Sequence, residues 1–310
     1  MYKEFYGFQE KPFKLTPDPA FLFLSKQHEM ALSMLNYGLQ NEAGITVITG
    51  EVGAGKTTLI REVLRHINKD VEVGLITNAH SGFGDLLQLV LLAFDITTET
   101  LDKASRYKVL TDFMINNYAN NKATVLIVDE AQNMDVDTLE ELRLISNINV
   151  DKHLVLQLVL VGQPEFLEKI QRDDLRQLAQ RVSVDYMIKP LGYRETKAYI
   201  KHRLVVAGGK ENILDKYAIA AVYYYSCGTP RLINTLCDFA LVFGFSESLK
   251  HITLDIILDV IKGKQAGGIF PMVRKENKEQ TRVRELIKQE KGIDIQLIAK
   301  EPDDKEIFEL

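Results

Sequence analysis

Tryptophan is absent from this 310-residue chain, and cysteine occurs only twice, at Cys227 and Cys237. Two thiols cannot build the disulfide framework of a small secreted domain, and no C-x-x-C pair is present for a metal or redox centre. The six histidines, His28, His66, His80, His153, His202 and His251, show no metal-ligand spacing, so no transition-metal site is expected. Long apolar runs are also missing. Residues 154–162 and 86–94 are the longest, far short of the roughly 18 apolar residues a membrane-spanning helix needs. The N-terminus carries acid and aromatics where a signal peptide has a basic and then an apolar region. The expectation is a cytoplasmic protein, with any attachment to the inner membrane made through a partner. Nor is there an excess of positive charge: 38 Lys and Arg against 43 Asp and Glu give a net charge of −5. No global basic field draws the chain to nucleic acid, which leaves only a local patch for that role. With 46% hydrophobic and 26% charged residues, the composition excludes a mainly disordered chain.

What is present begins with an aromatic and proline-rich arm over residues 1–25 (Pro12, Pro17 and Pro19 with Phe5, Tyr6, Phe8, Phe13, Phe21 and Phe23). Prolines this close forbid a regular helix, so the arm reads as extended and pinned by its aromatic rings. Five short apolar runs follow, at 45–49, 71–76, 124–128, 154–161 and 182–188, and read as strands. Helical patterns fill the gaps at 55–68, 82–94, 101–120 and 135–147. Near-continuous apolar strands alternating with helices argue for a parallel five-stranded αβα sandwich over residues 26–190. Beyond Pro190 only helical patterns remain, at 193–207, 215–226, 230–245 and 253–262, so residues 191–263 read as an all-helical lid. Residues 264–310 open with Gly267, Gly268 and Pro271 and then turn highly charged, which reads as a tail with one exposed helix over 274–290.

The strongest motif is Gly50-Glu51-Val52-Gly53-Ala54-Gly55-Lys56-Thr57, followed by Thr58. It fits G-x-x-x-x-G-K-[ST] between a predicted strand and a predicted helix. Glycines let the backbone curl so that its N–H groups converge on phosphate oxygens, and the helix start adds a positive dipole end. Lys56 can reach the β- and γ-phosphates of ATP, and the Thr57 hydroxyl can ligate Mg²⁺. The second motif is Val125-Leu126-Ile127-Val128-Asp129-Glu130, an apolar strand with two acids at its C-terminal end, the edge where open parallel sheets bind ligands. There Asp129 would hold Mg²⁺ through its water shell and Glu130 would polarise the attacking water. An apolar run ending in Asp-Glu is weak alone; paired with the phosphate loop upstream it becomes specific.

Together these residues resemble the AAA+ P-loop ATPases, and within them the general secretion pathway A group. The resemblance starts in the arm, at Phe5-Tyr6-Gly7-Phe8-Gln9-Glu10-Lys11-Pro12-Phe13, Leu15-Thr16-Pro17-Asp18-Pro19 and Phe21-Leu22-Phe23-Leu24-Ser25. It continues through His28, Tyr37-Gly38-Leu39, the phosphate loop, Asp129-Glu130-Ala131-Gln132 and Leu160-Val161-Gly162-Gln163-Pro164-Glu165, covering roughly residues 1–262. The resemblance implies an arm that frames the adenine around residues 15–24. It further implies that Gln163 acts as the polar sensor 1 residue at the γ-phosphate or the attacking water. Arg181 is implied as an arginine finger presented to a neighbouring subunit's nucleotide, with Arg176 and Arg172 as alternatives. Arg231, in Gly228-Thr229-Pro230-Arg231, is implied as sensor 2; Pro230 suits a first helical turn and Thr229 can cap it.

The expected function is therefore Mg²⁺-dependent ATP hydrolysis by a homo-oligomeric motor or switch whose client belongs to a secretion, pilus or exopolysaccharide-export assembly. A nucleotide-gated DNA-binding adaptor of the transposition-regulator type shares the same motifs and would need a basic stripe. Larger members of the group carry a membrane anchor and a peptidoglycan-binding domain after the ATPase, whereas this sequence ends after a short charged tail, as an ATPase-only member would.

Overall fold

The computed structural model describes residues 2–16, 18–41, 43–77, 85–97, 102–150, 153–267 and 276–298. His80, Pro17, Gly268, Pro271, the first residues of the expected helices at 82, 101 and 274, and the last part of the tail lie outside them. Two compact units emerge: residues 26–189, and residues 1–25 together with 190–310.

The chain opens with a short helix, α1 (Tyr2–Tyr6), ahead of the first proline, and a 3₁₀ turn at Pro19–Phe21. This corrects the fully extended arm. Proline bars a helix through itself and disfavours one in the residue before it, but leaves a turn upstream untouched.

In the 26–189 unit, α2 (Lys26–Gln40) leads into β1 (Ile45–Gly50), α3 (Lys56–His66), β2 (Val71–Ile76), α4 (Leu86–Ala93), α5 (Lys103–Ala119) and β3 (Ala123–Val128). Next come α6 (Val136–Ile145), a small antiparallel pair β4 (Asn149–Val150) and β5 (His153–Leu154), β6 (Gln157–Gly162), α7 (Pro164–Ile170), α8 (Arg176–Ala179) and β7 (Val182–Ile188). The five longer strands form one parallel sheet in the order β2-β3-β6-β1-β7. Alternation sorts each strand between two cores. Ile48, Val125, Ile127, Val159 and Val161 pack with α2 and α3, while Val47, Leu126, Val128, Leu158 and Leu160 pack beneath α4 to α7. Aspartates start the helices: Asp102 accepts from the Ser105 N–H and Asp135 from the Thr138 N–H, each at 2.8 Å.

Two kinds of feature in this unit depart from the sequence reading. Helices α2 and α7 and the short α8 were not anticipated. The apolar run 154–161 is not one strand: Leu154 pairs with Asn149, and Val155 and Leu156 are buried outside the sheet before β6 begins. Burial alone accounts for their apolar character.

In the other unit, α9 (Tyr193–Val206), α10 (Lys216–Ser226), α11 (Pro230–Ser246), α12 (Leu254–Gly267), α13 (Lys278–Lys291) and α14 (Ile295–Ile298) share a single core with the arm. Tyr2, Tyr6, Phe8, Phe13 and Phe21 are all buried in it. Buried Arg203 on α9 anchors the arm: its Nε donates to Pro12 O at 2.5 Å, Nη2 to Lys14 O at 3.3 Å and Nη1 to the Tyr199 hydroxyl at 2.9 Å. Its guanidinium also sits 4.9 Å from the Phe21 ring centre. Arg203→Ala would leave the buried Pro12 carbonyl, and the half-buried one of Lys14, without the donor each has here. It is expected to cost about 2–4 kcal/mol of stability, read by calorimetric unfolding, and to expose the arm to protease. An unchanged unfolding profile would remove Arg203 as the anchor.

Helix α13 is not an exposed appendage, as the charge pattern had suggested. Gln280, Val283 and Ile287 are buried against the unit's core. The Tyr223 hydroxyl donates to Glu279 at 2.8 Å, Tyr224 to Glu276 at 2.5 Å, and Gln280 Nε2 to Tyr224 O at 2.8 Å. Burial and the hydrogen bond to Glu279 both raise the Tyr223 pKa. The charged positions therefore include the acceptors that dock the helix, a role composition does not reveal.

Candidate nucleotide site

A parallel sheet delivers all its strand C-termini to one edge, and β6 lies between β1 and β3. The residues following these three strands are the phosphate loop, Gln163 and the Asp129–Glu130 pair. One edge therefore carries three motifs that are far apart in sequence.

The loop from Gly50 to Gly55 turns through left-handed backbone at Gly53 (φ +80°) and Gly55 (φ +95°). Gly55 is the N-cap of α3 and offers no side-chain acceptor. The first-turn N–H groups of Lys56, Thr57 and Thr58 are the helix donors that lack intrahelical acceptors. Glu51 and Val52 sit exposed at the loop tip, and Ala54 is buried. A Cβ at position 55 would lie 2.8 Å from Nε2 of His28, a buried ring whose Nε2 is 2.9 Å from Ala54 O. Since a carbonyl only accepts, His28 Nε2 is the donor. The ring props the loop from α2, a role its isolation in the sequence gave no hint of.

Lys56 is buried, and its ammonium donates to Gly50 O at 2.7 Å and Glu51 O at 3.1 Å. Burial pushes its pKa below the ordinary lysine value, and the charges of Glu130, Asp129, Glu51 and Glu165 pull in the opposite direction. The Thr57 hydroxyl donates to Asp129 Oδ2 at 2.8 Å, and the other carboxylate oxygen accepts from the Glu130 N–H at 2.9 Å. Desolvation raises the Asp129 pKa, against the lowering effect of both hydrogen bonds. A buried carboxylate touching a hydroxyl is a hard-oxygen pair of the kind that binds Mg²⁺, so Thr57 and Asp129 fit that ion.

Glu130 itself adopts a left-handed conformation, φ 57° and ψ 39°, at a cost of order 1–3 kcal/mol for a non-glycine residue. Its Oε2 accepts from Gln132 Nε2 at 2.5 Å and from Gln163 Nε2 at 3.3 Å. Gln132 Oε1 in turn accepts the Gln163 backbone N–H at 3.0 Å. Lys169 on α7 donates to Gln132 O at 2.6 Å and Met134 O at 2.7 Å, fastening the loop that carries Gln132. Gln132, quoted in the sequence only as part of the family resemblance, and Lys169, which no motif included, are the residues to which sequence reasoning gave no role.

Of the remaining candidates, Arg172, Arg176 and Arg181 belong to the 26–189 unit and Arg231 to the other. Exposed Arg172 is held by Asp174 at 3.1 and 2.6 Å. Arg181 Nη1 makes long contacts to Ser146 O at 3.4 Å and Oγ at 3.5 Å. Arg176 is exposed on α8, and Arg231 is exposed in the first turn of α11 in the other unit.

This combination defines a P-loop nucleotide-binding protein, and comparison with known proteins agrees. Residues 39–170 match the AAA domain family. The fold is shared with the ORC2 protein of Aeropyrum pernix, solved as ADPNP–ADP complexes, at a TM-score of 0.60 and 14% identity over 97% of this chain and 88% of that one. It is shared too with CDC6P of Pyrobaculum aerophilum, at 0.61 and 14% identity over 81% and 70%. General secretion pathway protein A of Aeromonas hydrophila is 40% identical over 251 residues, 80% of this chain and 45% of that protein. The chain belongs to the AAA ATPases related to general secretion pathway protein A, and spans less than half the length of that relative. Among the described residues, no helix is long and apolar enough to cross a membrane.

Proposed function

We propose that the protein binds Mg²⁺-ATP at this edge and hydrolyses it to ADP and phosphate. The observation that carries the reading is the gathering of Lys56, the Thr57–Asp129 pair, Glu130 and Gln163 at adjacent strand ends. The free N–H groups of the loop and of α3 would hold the phosphates, and Lys56 would exchange its loop carbonyls for β- and γ-oxygens. Thr57 and Asp129 would hold Mg²⁺, which when bound neutralises charge building between the phosphates. Glu130 accepts the proton of the attacking water, while Gln163 orients that water or the γ-phosphate.

In this reading the active protein is a homo-oligomer in which Arg181, or in its place Arg176 or Arg172, reaches a neighbour's nucleotide, a contribution of order 10³–10⁵ in rate for such arginines. Arg231 would sense the nucleotide from the helical unit. Kinship with a general secretion pathway protein supports a client in an envelope secretion, pilus or polysaccharide-export assembly.

Titration calorimetry of the folded protein tests the reading. Mg²⁺-ATP should give saturable heat, and nucleotide at a hundred times its Kd should stabilise the fold by about 2.7 kcal/mol. Absence of both defeats it. The trans arginine predicts hydrolysis per subunit that climbs with protein concentration; a flat rate across assembly removes that part alone.

A further inference from the structure

We propose that Gln132 is a positioning residue for hydrolysis: its carboxamide bridges the sensor strand to Glu130 and holds the base in register with the attacking water. The inference rests on Glu130 being that base.

The bridge has a fixed polarity. Gln132 Oε1 faces a donor, the backbone N–H of Gln163, and its Nε2 faces an acceptor, Glu130 Oε2. Rotating the amide by half a turn would set oxygen against carboxylate and NH₂ against N–H, so both ends select one orientation. Glu130 has a left-handed backbone, and its Oε2 is already taken by two amide donors, Gln132 and Gln163. This leaves Oε1 as the oxygen available to a water. The bridge is itself anchored, since Lys169 grips the carbonyls of Gln132 and Met134. Motion of β6 or of the α7 N-terminus is therefore passed to the base through the Gln132 bridge, beside the longer direct contact from Gln163 Nε2. Donors to a carboxylate are among the stronger hydrogen bonds, and alignment of a general base is sensitive to small displacement.

The test compares Gln132→Leu, which keeps size and removes both hydrogen bonds, with Glu130→Gln and with the double variant, in the full-length protein. Gln132→Leu should lower kcat about ten- to a hundredfold, as expected for loss of a charge-assisted hydrogen bond at a reacting group. KM and Mg²⁺-ATP affinity should stay at wild-type values, because the loss falls on the chemical step and not on nucleotide binding. In the Glu130→Gln background, Gln132→Leu should cause no further loss, because a positioner acts only through the group it positions. A wild-type or raised kcat in Gln132→Leu, or full additivity with Glu130→Gln, overturns the proposal. Full turnover by Glu130→Gln alone would instead overturn the base assignment, so the two failures are separable.

Discussion

Glu130→Gln is expected to bind Mg²⁺-ATP like the parent and to hydrolyse it about 10²–10⁴ times more slowly, the usual span for removing a general base. The substitution is unusually clean in this site. A glutamine oxygen at position 130 can still accept from Gln132 and Gln163, so the amide network survives and only basicity is lost. Lys56→Ala should behave differently. It deletes the buried cation that bonds Gly50 O and Glu51 O and would face the phosphates, so affinity and turnover should fall together. Filter binding of labelled nucleotide beside a phosphate-release assay separates the two patterns. Unaltered turnover in Glu130→Gln would show that another group activates the water.

Gly228→Ala should be among the most destabilising single-methyl changes in the chain. Gly228 has φ +74°, and a Cβ there would lie 1.9 Å from Leu191 O and 2.9 Å from Leu191 C. Those atoms are backbone of a buried residue whose own N–H donates to Gly228 O at 3.0 Å, so they cannot swing aside as a side-chain end would. Left-handed strain and overpacking together suggest about 2–5 kcal/mol, a Tm loss on the order of 10 °C. Gly292→Ala is the control: φ is +71°, but among the described residues no atom beyond its chain neighbours lies within 4 Å of the added methyl, so conformational strain dominates. Calorimetry should find the Gly228 variant far less stable than the Gly292 variant; equal shifts would mean the contact yields.

The strands and the phosphate loop could be read directly because their signals are local. β3 runs Ala123–Val128 and β1 Ile45–Gly50, close to the apolar runs that announced them. Helix α2 escaped for an instructive reason. Its buried positions, His28, Ala31, Leu35 and Gly38, have helical spacing, but only one is a large aliphatic. The face is small because it packs tightly: a Cβ on Gly38 would fall 2.4 Å from Thr46 Oγ1. A search for periodic bulk misses a helix chosen for closeness. The charged stretch 276–298 misled in the opposite sense, since its glutamates accept from buried-core tyrosines rather than face water alone.

Local chemistry was enough to specify where the backbone bends around a phosphate and where two acids leave a buried strand. Glycine, β-branched residues and capping aspartates act on their immediate neighbours, so a linear reading captures them. The strand order β2-β3-β6-β1-β7 belongs to another level. It sets Gln163 beside Glu130 and threads Gln132 between them, contacts spanning 33 and 31 positions of chain. Packing of the arm's aromatics with helices beyond residue 190 is of the same kind. Such partners are selected by burying two faces of a sheet and one helical core at once, a condition on the whole chain that no short window of residues contains.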